Sequence, residues 1–374
     1  MLIASSYVCS IKGPASLEAP EPERLGQAAR VAKNLGLERL VLPVLEESLL
    51  GRTQAKVRFF DRLIETLDLL DNAGLSAWLI APTRRVLGLD WVPPYLVKAV
   101  RDPRAGRAFL EGRLRNLCPY NWWNDLSILE KRIRAFRELV SALSCHPALT
   151  GWIVMDRALE WPRPYPEVAD LVLKSYTAEI RERDEKVTIY MGLGWSELLD
   201  PRMAQSLVPQ VDGVRISGLE SIPRDMNIAA GLTGELWLAS YLGTLSRWIF
   251  RRPVDIEVGW GLLDQGGDLE ETVAAGRRLA MQGLGSVTWL NLTDPLPGLY
   301  GHPPWGLEPR LEQVGLLDHG LEPKQWVESL LLEIRKTENR DESENFIDLS
   351  RKEYINDPET HFSRLWDHFV ETFL

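Results

Sequence analysis

The sequence predicts an α/β fold, a (β/α)8 TIM barrel with a long insertion after the third strand and a helical extension at the C-terminus. Short apolar runs rich in β-branched residues alternate with longer amphipathic segments, which is typical of parallel βα units. Eight such runs occur in the 374 residues, and eight units favour closure into a barrel. A doubly wound open sheet would need a glycine-rich phosphate turn after its first strand, and the segment Ile11–Pro14 lacks the G-x-G-x-x-G pattern.

The predicted elements follow one another along the chain as strands and helices. The strands are Leu2–Val8, Arg39–Val44, Ser76–Ile80, Gly151–Met155, Val187–Met191, Gly213–Ile216, Val254–Val258 and Ser286–Asn291. Helical patterns lie between them at Glu23–Leu35, Val57–Asn72, Leu129–Leu143, Pro166–Arg183 and Leu269–Gln282. Gly36, Gly74 and Gly283 stand where helix stop signals are expected.

A long interval, Thr83–Ser127, separates the third and fourth strands and is rich in aromatic residues and proline. In a barrel, an insertion after a strand lies at the C-terminal face, where active sites are built. Aromatic rings there can stack on sugar rings, or they can pack the insertion onto the barrel, which is the commoner fate of tryptophan. We expect one or two of them, such as Trp122, to line the cleft.

The C-terminal segment differs in character from the barrel, which we assign to residues 1–336. Residues Thr337–Lys352 are charged and predict a linker, and Asp357-Pro358-Glu359 is typical of a helix start. Apolar residues then recur on one helix face, at positions Phe362, Leu365, Trp366, Phe369, Val370 and Phe373. Because so large an apolar stripe is not left in water, we expect this helix to dock on its own barrel or on a partner, including a second copy of the chain.

Composition excludes several classes of function. The net charge is −10, from 43 basic and 53 acidic residues, and no basic stripe forms, so nucleic acid is not an expected partner. The N-terminus lacks the features of a signal peptide, and no apolar run reaches the roughly 18 residues of a membrane span. Three cysteines without paired spacing, and no metal-ligand spacing, predict neither a disulfide framework nor a metal or cofactor. We therefore predict a cytoplasmic protein with no membrane partner.

Four segments together resemble the cellulase-type, clan A retaining glycoside hydrolases. Residues His146–Arg157 are similar to the fourth-strand signature of that superfamily, which runs His-Pro, Gly-Trp and then Asn-Glu. Pro253–Gly259 is similar to the seventh strand, Ser286–Trp289 to the eighth, and Gly315–Gly320 with Pro323-Lys324 to the closing region. The resemblance covers roughly residues 1 to 335 and implies a carbohydrate substrate or ligand.

Retaining hydrolysis requires two carboxyl groups about 5 to 5.5 Å apart, one as nucleophile and one as general acid and base. The resemblance places Glu257 in the nucleophile position and Trp289 at the floor of the sugar site. Its further implied contacts to the sugar are the side chains Arg157, Trp260, Trp195 and Trp122.

The acid position departs from the superfamily pattern, since Arg157 stands where the glutamate is expected and Asp156 replaces the preceding asparagine. Arginine stays protonated and cannot donate and retrieve a proton in this cycle. The Arg-x-Pro motif of the second strand and the His-x-Tyr motif of the sixth are also absent, with Val41–Val44 and Arg215–Gly218 in their places.

Three hypotheses remain open from the sequence. In the first, another carboxylate supplies the acid: Asp156, Glu160 or Glu197. Asp156 points to the opposite face from the next residue if the strand continues through it. In the second, the barrel is inactive, Arg157 pairs with Glu257, and the protein binds a glycan or regulates a partner. In the third, only the scaffold is shared and the chemistry is unrelated, because barrels host many reactions.

Overall fold

The computed structural model describes residues 1–8, 21–50, 53–93, 96–97, 106–110, 113–117, 121–160, 162–222, 231–261, 268–302, 305–307, 309–337 and 345–374. The segment Ile11–Pro14, part of the insertion and residues 338–344 of the predicted linker lie outside these ranges.

Eight parallel strands form a closed barrel, which confirms the predicted fold class. We number the strands one to eight in chain order: Leu2–Ser6, Arg39–Leu45, Ser76–Thr83, Leu149–Val154, Thr188–Gly194, Gly213–Ser217, Val254–Val258 and Ser286–Trp289. Each pairs with its neighbours in sequence, and strand one closes the barrel against strand eight, with Ile3 opposite Val287. Every predicted strand is present in this barrel, with ends that differ by a few residues.

The helices surround the barrel and include each predicted helix. They are α1 (Pro22–Asn34), α2 (Glu46–Leu50), α3 (Thr53–Asn72), α4 (Leu126–Leu143), α5 (Pro166–Arg183), α6 (Arg202–Leu207), α7 (Gly231–Phe250), α8 (Leu269–Ala280), α9 (Val327–Lys336), α10 (Arg351–Asn356) and α11 (Pro358–Phe373). Asp125 caps α4, where its carboxylate accepts hydrogen bonds from two backbone N–H groups of the first turn, and Asp268 caps α8, where it accepts one. Among the described helices, none is long and apolar enough to cross a lipid bilayer.

The interior of the barrel has an apolar side and a polar side. On strands one to five, buried apolar side chains form a cluster of Ala4, Val41, Trp78, Ile80, Ile153 and Tyr190. On strands six to eight, the interior instead holds charged and hydroxyl groups, namely those of Arg215, Asp255, Ser286 and Thr288. The polar side leads to the C-terminal ends of the strands, so this asymmetry positions the site described below.

The insertion after strand three folds into a small sheet of its own. Its strands are Arg85–Val86, Leu89–Trp91, Gly106–Leu110 and Arg113–Leu117. Trp91 stacks on Phe109 with ring centroids 4.4 Å apart, so this tryptophan packs the insertion internally. A second small pairing, between Asn291–Thr293 and Gly315–Leu317, extends the end of strand eight.

The C-terminal segment docks on its own barrel. Its apolar stripe covers α7, where the hydroxyl of Tyr241 donates a hydrogen bond of 2.6 Å to the backbone oxygen of Phe362. Phe369 is fully buried, and so is Phe346, which lies in the segment expected to be a linker. That segment also contains the start of α10, where Ser350 and Glu353 form a capping box. Burial on α7 accounts for the apolar stripe within a single chain.

Candidate active site

A small cavity of about 40 Å³ opens at the C-terminal ends of the barrel strands. Four of the predicted site residues line it together: Asp156, Arg157, Glu257 and Trp260. Arg215 of strand six and the segment of the insertion that begins at Arg85 also line the cavity. The barrel thus brings the ends of strands four and seven to one cavity, as the resemblance implies.

Glu257 lies at the end of strand seven and is held by an arginine on strand six. Because alternate residues of a strand share a face, Asp255 and Glu257 both point into the barrel. Arg215 bridges them, with Nη1 2.9 Å from Asp255 Oδ2 and Nη2 2.5 Å from Glu257 Oε2. The other oxygen of Asp255 accepts hydrogen bonds of 2.6 and 2.8 Å from Ser286 and Thr288. Arg215 is completely buried between these carboxylates.

This arrangement adds a second arginine, Arg215, to the expected partners of Glu257. Burial alone would lower the pKa of Arg215, but the charges of Glu257, Asp255 and Asp156 outweigh it and raise the pKa. Arg215 therefore remains a cation, and a cation against Glu257 favours the ionised carboxylate. Arg215 contacts Glu257 because strand six places it directly beside strand seven.

Asp156 also points into the cavity, because strand four ends before it. The strand stops at Val154, and Met155 and Arg157 adopt left-handed backbone angles, with φ of 55° and 47°. The alternation of faces therefore does not continue into the turn. Thr83 donates a hydrogen bond of 2.8 Å to Asp156 Oδ2 and fixes the carboxyl group.

Burial raises the pKa of Asp156, and the hydrogen bond from Thr83 and the charges of Arg215, Arg157 and Arg85 offset this only in part. The protonated form of Asp156 is therefore favoured relative to an ordinary aspartate. Asp156 and Glu257 are thus two carboxyl groups of one cavity, the first with a raised pKa and the second in contact with a buried guanidinium.

Arg157 turns its guanidinium toward Glu160 on the same loop. Its Nε and Nη2 lie 2.9 and 2.8 Å from Glu160 Oε1, and Glu160 Oε2 lies 3.4 Å from Arg85 Nη1. Gly218, after strand six, leaves room for the guanidinium, because a Cβ there would lie 2.6 Å from Arg157 Cζ. Arg157 lines the cavity, whereas Glu160 is not among the described residues of the lining.

Glu197 lies deeper than Glu160 and is only 5% exposed. Both carboxyl groups approach Gly194, since a Cβ there would lie 1.9 Å from Glu160 Oε1 and 3.1 Å from Glu197 Oε2. Burial, and secondarily the charge of Glu160, raise the pKa of Glu197 to about 8. Among the described residues, Glu197 Oε2 has no hydrogen-bond partner. Of the three candidate acids, Asp156 is the one that belongs with Glu257 to the described lining of the cavity.

Trp260 is the predicted sugar-binding tryptophan that reaches the cavity wall. Trp289 instead packs beneath it, where its Nε1 donates a hydrogen bond of 3.0 Å to Val314 and its ring lies 5.3 Å from that of Trp326. The reason is the alternation of strand eight, in which Thr288 takes the inward position and Trp289 the outward one.

Trp195 and Trp122 also serve packing. Trp195 donates a hydrogen bond of 2.9 Å to the hydroxyl of Ser221, and its ring lies 6.0 Å from that of Phe362 on α11. The ring of Trp122 is covered by the guanidinium of Arg132 at 3.4 Å. Neither tryptophan belongs to the described lining of the cavity, so both pack within the protein, as most tryptophans do.

Glu235, on α7, is a site residue that the sequence reasoning missed. Its carboxylate accepts hydrogen bonds from three successive N–H groups: Gly259 at 2.9 Å, Trp260 at 3.0 Å and Gly261 at 2.6 Å. The carboxylate thus fixes the loop that follows Glu257 and carries Trp260. Nothing in the local sequence of α7 marks this contact. Arg215 and Asp255 were also missed, although charged residues inside apolar strands were an available signal.

Comparisons with known proteins agree with this geometry at the level of the fold. Neither a family model nor a curated protein matches the sequence. Among solved structures, a GH5_18 protein from Bifidobacterium longum subsp. infantis has a TM-score of 0.70 at 17% identity over 91% of this chain and 80% of its own. A GH5_18 protein from Streptomyces cattleya in complex with GlcNAc has a TM-score of 0.70 at 15% identity, over 91% and 82%.

An exo-beta-1,4-mannosidase from Opitutaceae bacterium strain TAV5 has a TM-score of 0.69 at 16% identity, over 90% of this chain and 59% of its own. At such identities a likeness establishes the fold. The chain therefore has the closed barrel fold of the clan A glycoside hydrolases, the superfamily that its sequence motifs resemble.

Proposed function

We propose that the protein is a retaining glycoside hydrolase in which Glu257 is the nucleophile and Asp156 is the general acid and base. The observation that carries the proposal is that these two carboxyl groups line one cavity, with Glu257 in contact with the guanidinium of Arg215 and Asp156 at a pKa that burial raises. Pairs of titratable groups driven apart in this way are typical of acid and base assignments in active sites. The ends of strands four and seven are also where the resembling superfamily carries its catalytic pair.

The reaction has two steps, the formation of a glycosyl ester on Glu257 and the hydrolysis of that ester. The ionised carboxylate of Glu257 attacks the anomeric carbon while the carboxyl group of Asp156 gives its proton to the departing glycosidic oxygen, which leaves as an alcohol. Asp156, now ionised, then takes a proton from water, and the resulting oxygen attacks the anomeric carbon of the glycosyl ester. The free sugar leaves, and both carboxyl groups return to their starting states.

Neighbouring residues orient this pair. Arg215 holds Glu257 as an anion and fixes one of its oxygens, while Thr83 fixes one oxygen of Asp156. Glu235 holds the loop after Glu257, and Trp260 offers an aromatic surface to a sugar ring. Two of the similar structures are complexes, one with GlcNAc and one with Manb1-4GlcNAc. Two others are an exo-beta-1,4-mannosidase and a beta-galactosidase. β-Mannosides, β-galactosides and N-acetylglucosaminides are therefore the first substrates to test.

Leaving-group dependence tests the assignment. Asp156→Asn removes the proton donor, so hydrolysis of a phenyl glycoside should fall by about 10²- to 10⁴-fold. Formation of the glycosyl ester from a dinitrophenyl glycoside needs no protonation, so its burst phase should survive in the same variant. Glu257→Gln should abolish both reactions. Asp200→Asn, at a half-exposed ion pair with Arg163, is the matched control. Equal losses with both leaving groups in Asp156→Asn would remove Asp156 from the acid role.

A second candidate function is a carbohydrate-binding barrel without turnover. The observation that favours it is Arg157, which occupies the acid position and is engaged by Glu160. In that case Arg215 compensates the charge of Glu257. A sugar that raises the melting temperature of the wild-type protein, with no hydrolysis of any glycoside tested, would support this candidate over the hydrolase. A cytoplasmic location, without nucleic acid or membrane partners, remains part of either proposal.

A further inference from the structure

We propose that this cavity selects acidic sugars, and that Arg157 with Arg85 recognises a carboxylate or phosphate group on the ligand. The inference rests on the proposed function insofar as that function makes the cavity a carbohydrate site. It adds the chemical class of the sugar.

The first support is the way in which Arg157 is built into the wall. The residue replaces the expected proton donor and has an unfavourable backbone angle, with φ of 47°. Its guanidinium lies against Gly218, itself at φ 88°, and a side chain at that position would collide with it. The backbone of Arg157 is fixed as well, through a hydrogen bond of 3.1 Å from its N–H to the oxygen of Gly192. Together these contacts fix the orientation of the Arg157 guanidinium in the cavity.

The second support is the neighbouring arginine. Arg85, from the insertion, lines the same cavity, and Glu160 lies between the two guanidinium groups with one oxygen toward each. Glu160 orients both groups. Each guanidinium has five N–H donors in a planar fork, so it can hold this carboxylate and an oxygen of a ligand anion together.

The third support is the state of the acidic groups nearby. Burial raises the pKa of Asp156 and of Glu197, which favours their neutral forms and weakens their repulsion of an anion. Arg215, on strand six, contacts the carboxylates of Asp255 and Glu257. The arginines near strand four are therefore the ones suited to a ligand anion, while Arg215 serves the candidate nucleophile.

Calorimetric titration of the full-length protein with free monosaccharides tests the inference. These ligands have no glycosidic bond, so the result does not depend on whether the protein is a hydrolase. The probes are D-mannose, D-mannuronic acid and mannose 6-phosphate, with the corresponding gluco series. We expect at least one acidic sugar of a series to bind about tenfold to a hundredfold more tightly than its neutral counterpart, as expected for a charge-assisted contact. Comparison of the uronic acid with the phosphate identifies which anion the site takes.

Arg157→Gln should remove this preference, so that the acidic and the neutral sugar of a series bind with affinities within about threefold of each other. Arg85→Gln should reduce it, and provides a second variant if Arg157→Gln does not fold. Arg163→Gln, in the same loop region but paired with Asp200 and half-exposed, should leave it unchanged. Equal affinities for neutral and acidic sugars, binding of neither, or a preference that survives in both cavity variants would overturn the inference. Failure of hydrolysis alone would overturn the proposed function and leave this result standing.

Discussion

At the level of single residues, Arg215 supplies the positive charge that balances the carboxylates of the barrel interior. It is a fully buried cation between two carboxylates, and the hydroxyl groups of Ser286 and Thr288 satisfy the remaining oxygen of Asp255. Buried ion pairs are costly to desolvate, but removal of one member leaves an uncompensated charge, which is costlier still.

The first prediction follows from this network. Arg215→Gln leaves Asp255 and Glu257 without their cation, and we expect it to lower the free energy of unfolding by about 3–5 kcal/mol. Arg364→Gln removes a half-exposed pair with Asp348 and should cost at most about 1 kcal/mol. Urea denaturation of both variants measures the difference. Equal stabilities of the two would show that the buried charges are not coupled as described.

Glu197 gives a prediction of pH dependence. Its pKa is raised from 4.5 to about 8, so between these values the folded protein retains a proton that the unfolded chain releases. The stability that this proton contributes is present below pH 4.5 and is lost as the pH rises toward 8, by about 1.4 kcal/mol for each pH unit at most.

Glu197→Gln should remove that loss, because the amide does not titrate. We expect the variant to gain stability over the wild type when the pH is raised from 5 to 8, whereas exposed Glu185→Gln should follow the wild type. Thermal unfolding across this pH range measures the effect. A variant whose stability falls with pH as steeply as that of the wild type would place the titration elsewhere.

At the scale of elements, the alternation of apolar runs and amphipathic helices was sufficient to predict the strands of the barrel, since both periods are local properties of the sequence. The ends of the elements were not predictable in the same way. The end of strand four depends on left-handed angles at Met155 and Arg157, which tertiary contacts impose, and these angles turn Asp156 into the cavity. Strand alternation alone would have turned it away.

The C-terminal helix is an element whose role was predictable from its pattern but whose partner was not. The spacing of apolar residues along α11 predicts docking, and only the fold reveals that α7 is the surface that receives it. The buried Phe346 was hidden in a charged segment, where one apolar residue gives no periodic signal.

Phe369→Ala tests the docking of α11. Phe369 is completely buried, with its ring 5.7 Å from that of Tyr241, so truncation should lower the free energy of unfolding by about 3–5 kcal/mol. Leu374→Ala, at a residue that is 64% exposed, should change it by less than about 0.5 kcal/mol. Both variants should have the hydrodynamic radius of the wild type. A stable Phe369→Ala protein with an altered oligomeric state would indicate that the helix docks between chains.

At the scale of the whole molecule, the sequence motifs gave the strands that carry the site but not the contacts between them. Glu257 was identified from its place on strand seven, and it does line the cavity. Its arginine partner comes from strand six, and the loop that follows it is held by Glu235 of α7, so both contacts exist only once the barrel has closed. Trp289 was assigned to the sugar site by resemblance, yet its strand position directs it into the packed layer.

The central claim is that Glu257 forms a covalent bond to a sugar while Asp156 protonates the leaving group. The most direct test is trapping with dinitrophenyl 2-deoxy-2-fluoro-glycosides of the manno and galacto series, followed by mass spectrometry of the intact protein and its peptides. The fluorine slows both steps, and the good leaving group preserves the first. We expect a mass gain of one fluoroglycosyl group, mapped to Glu257 and absent in Glu257→Gln. A glycosyl group on another residue, or a wild-type protein that binds these sugars and gains no mass, would contradict it.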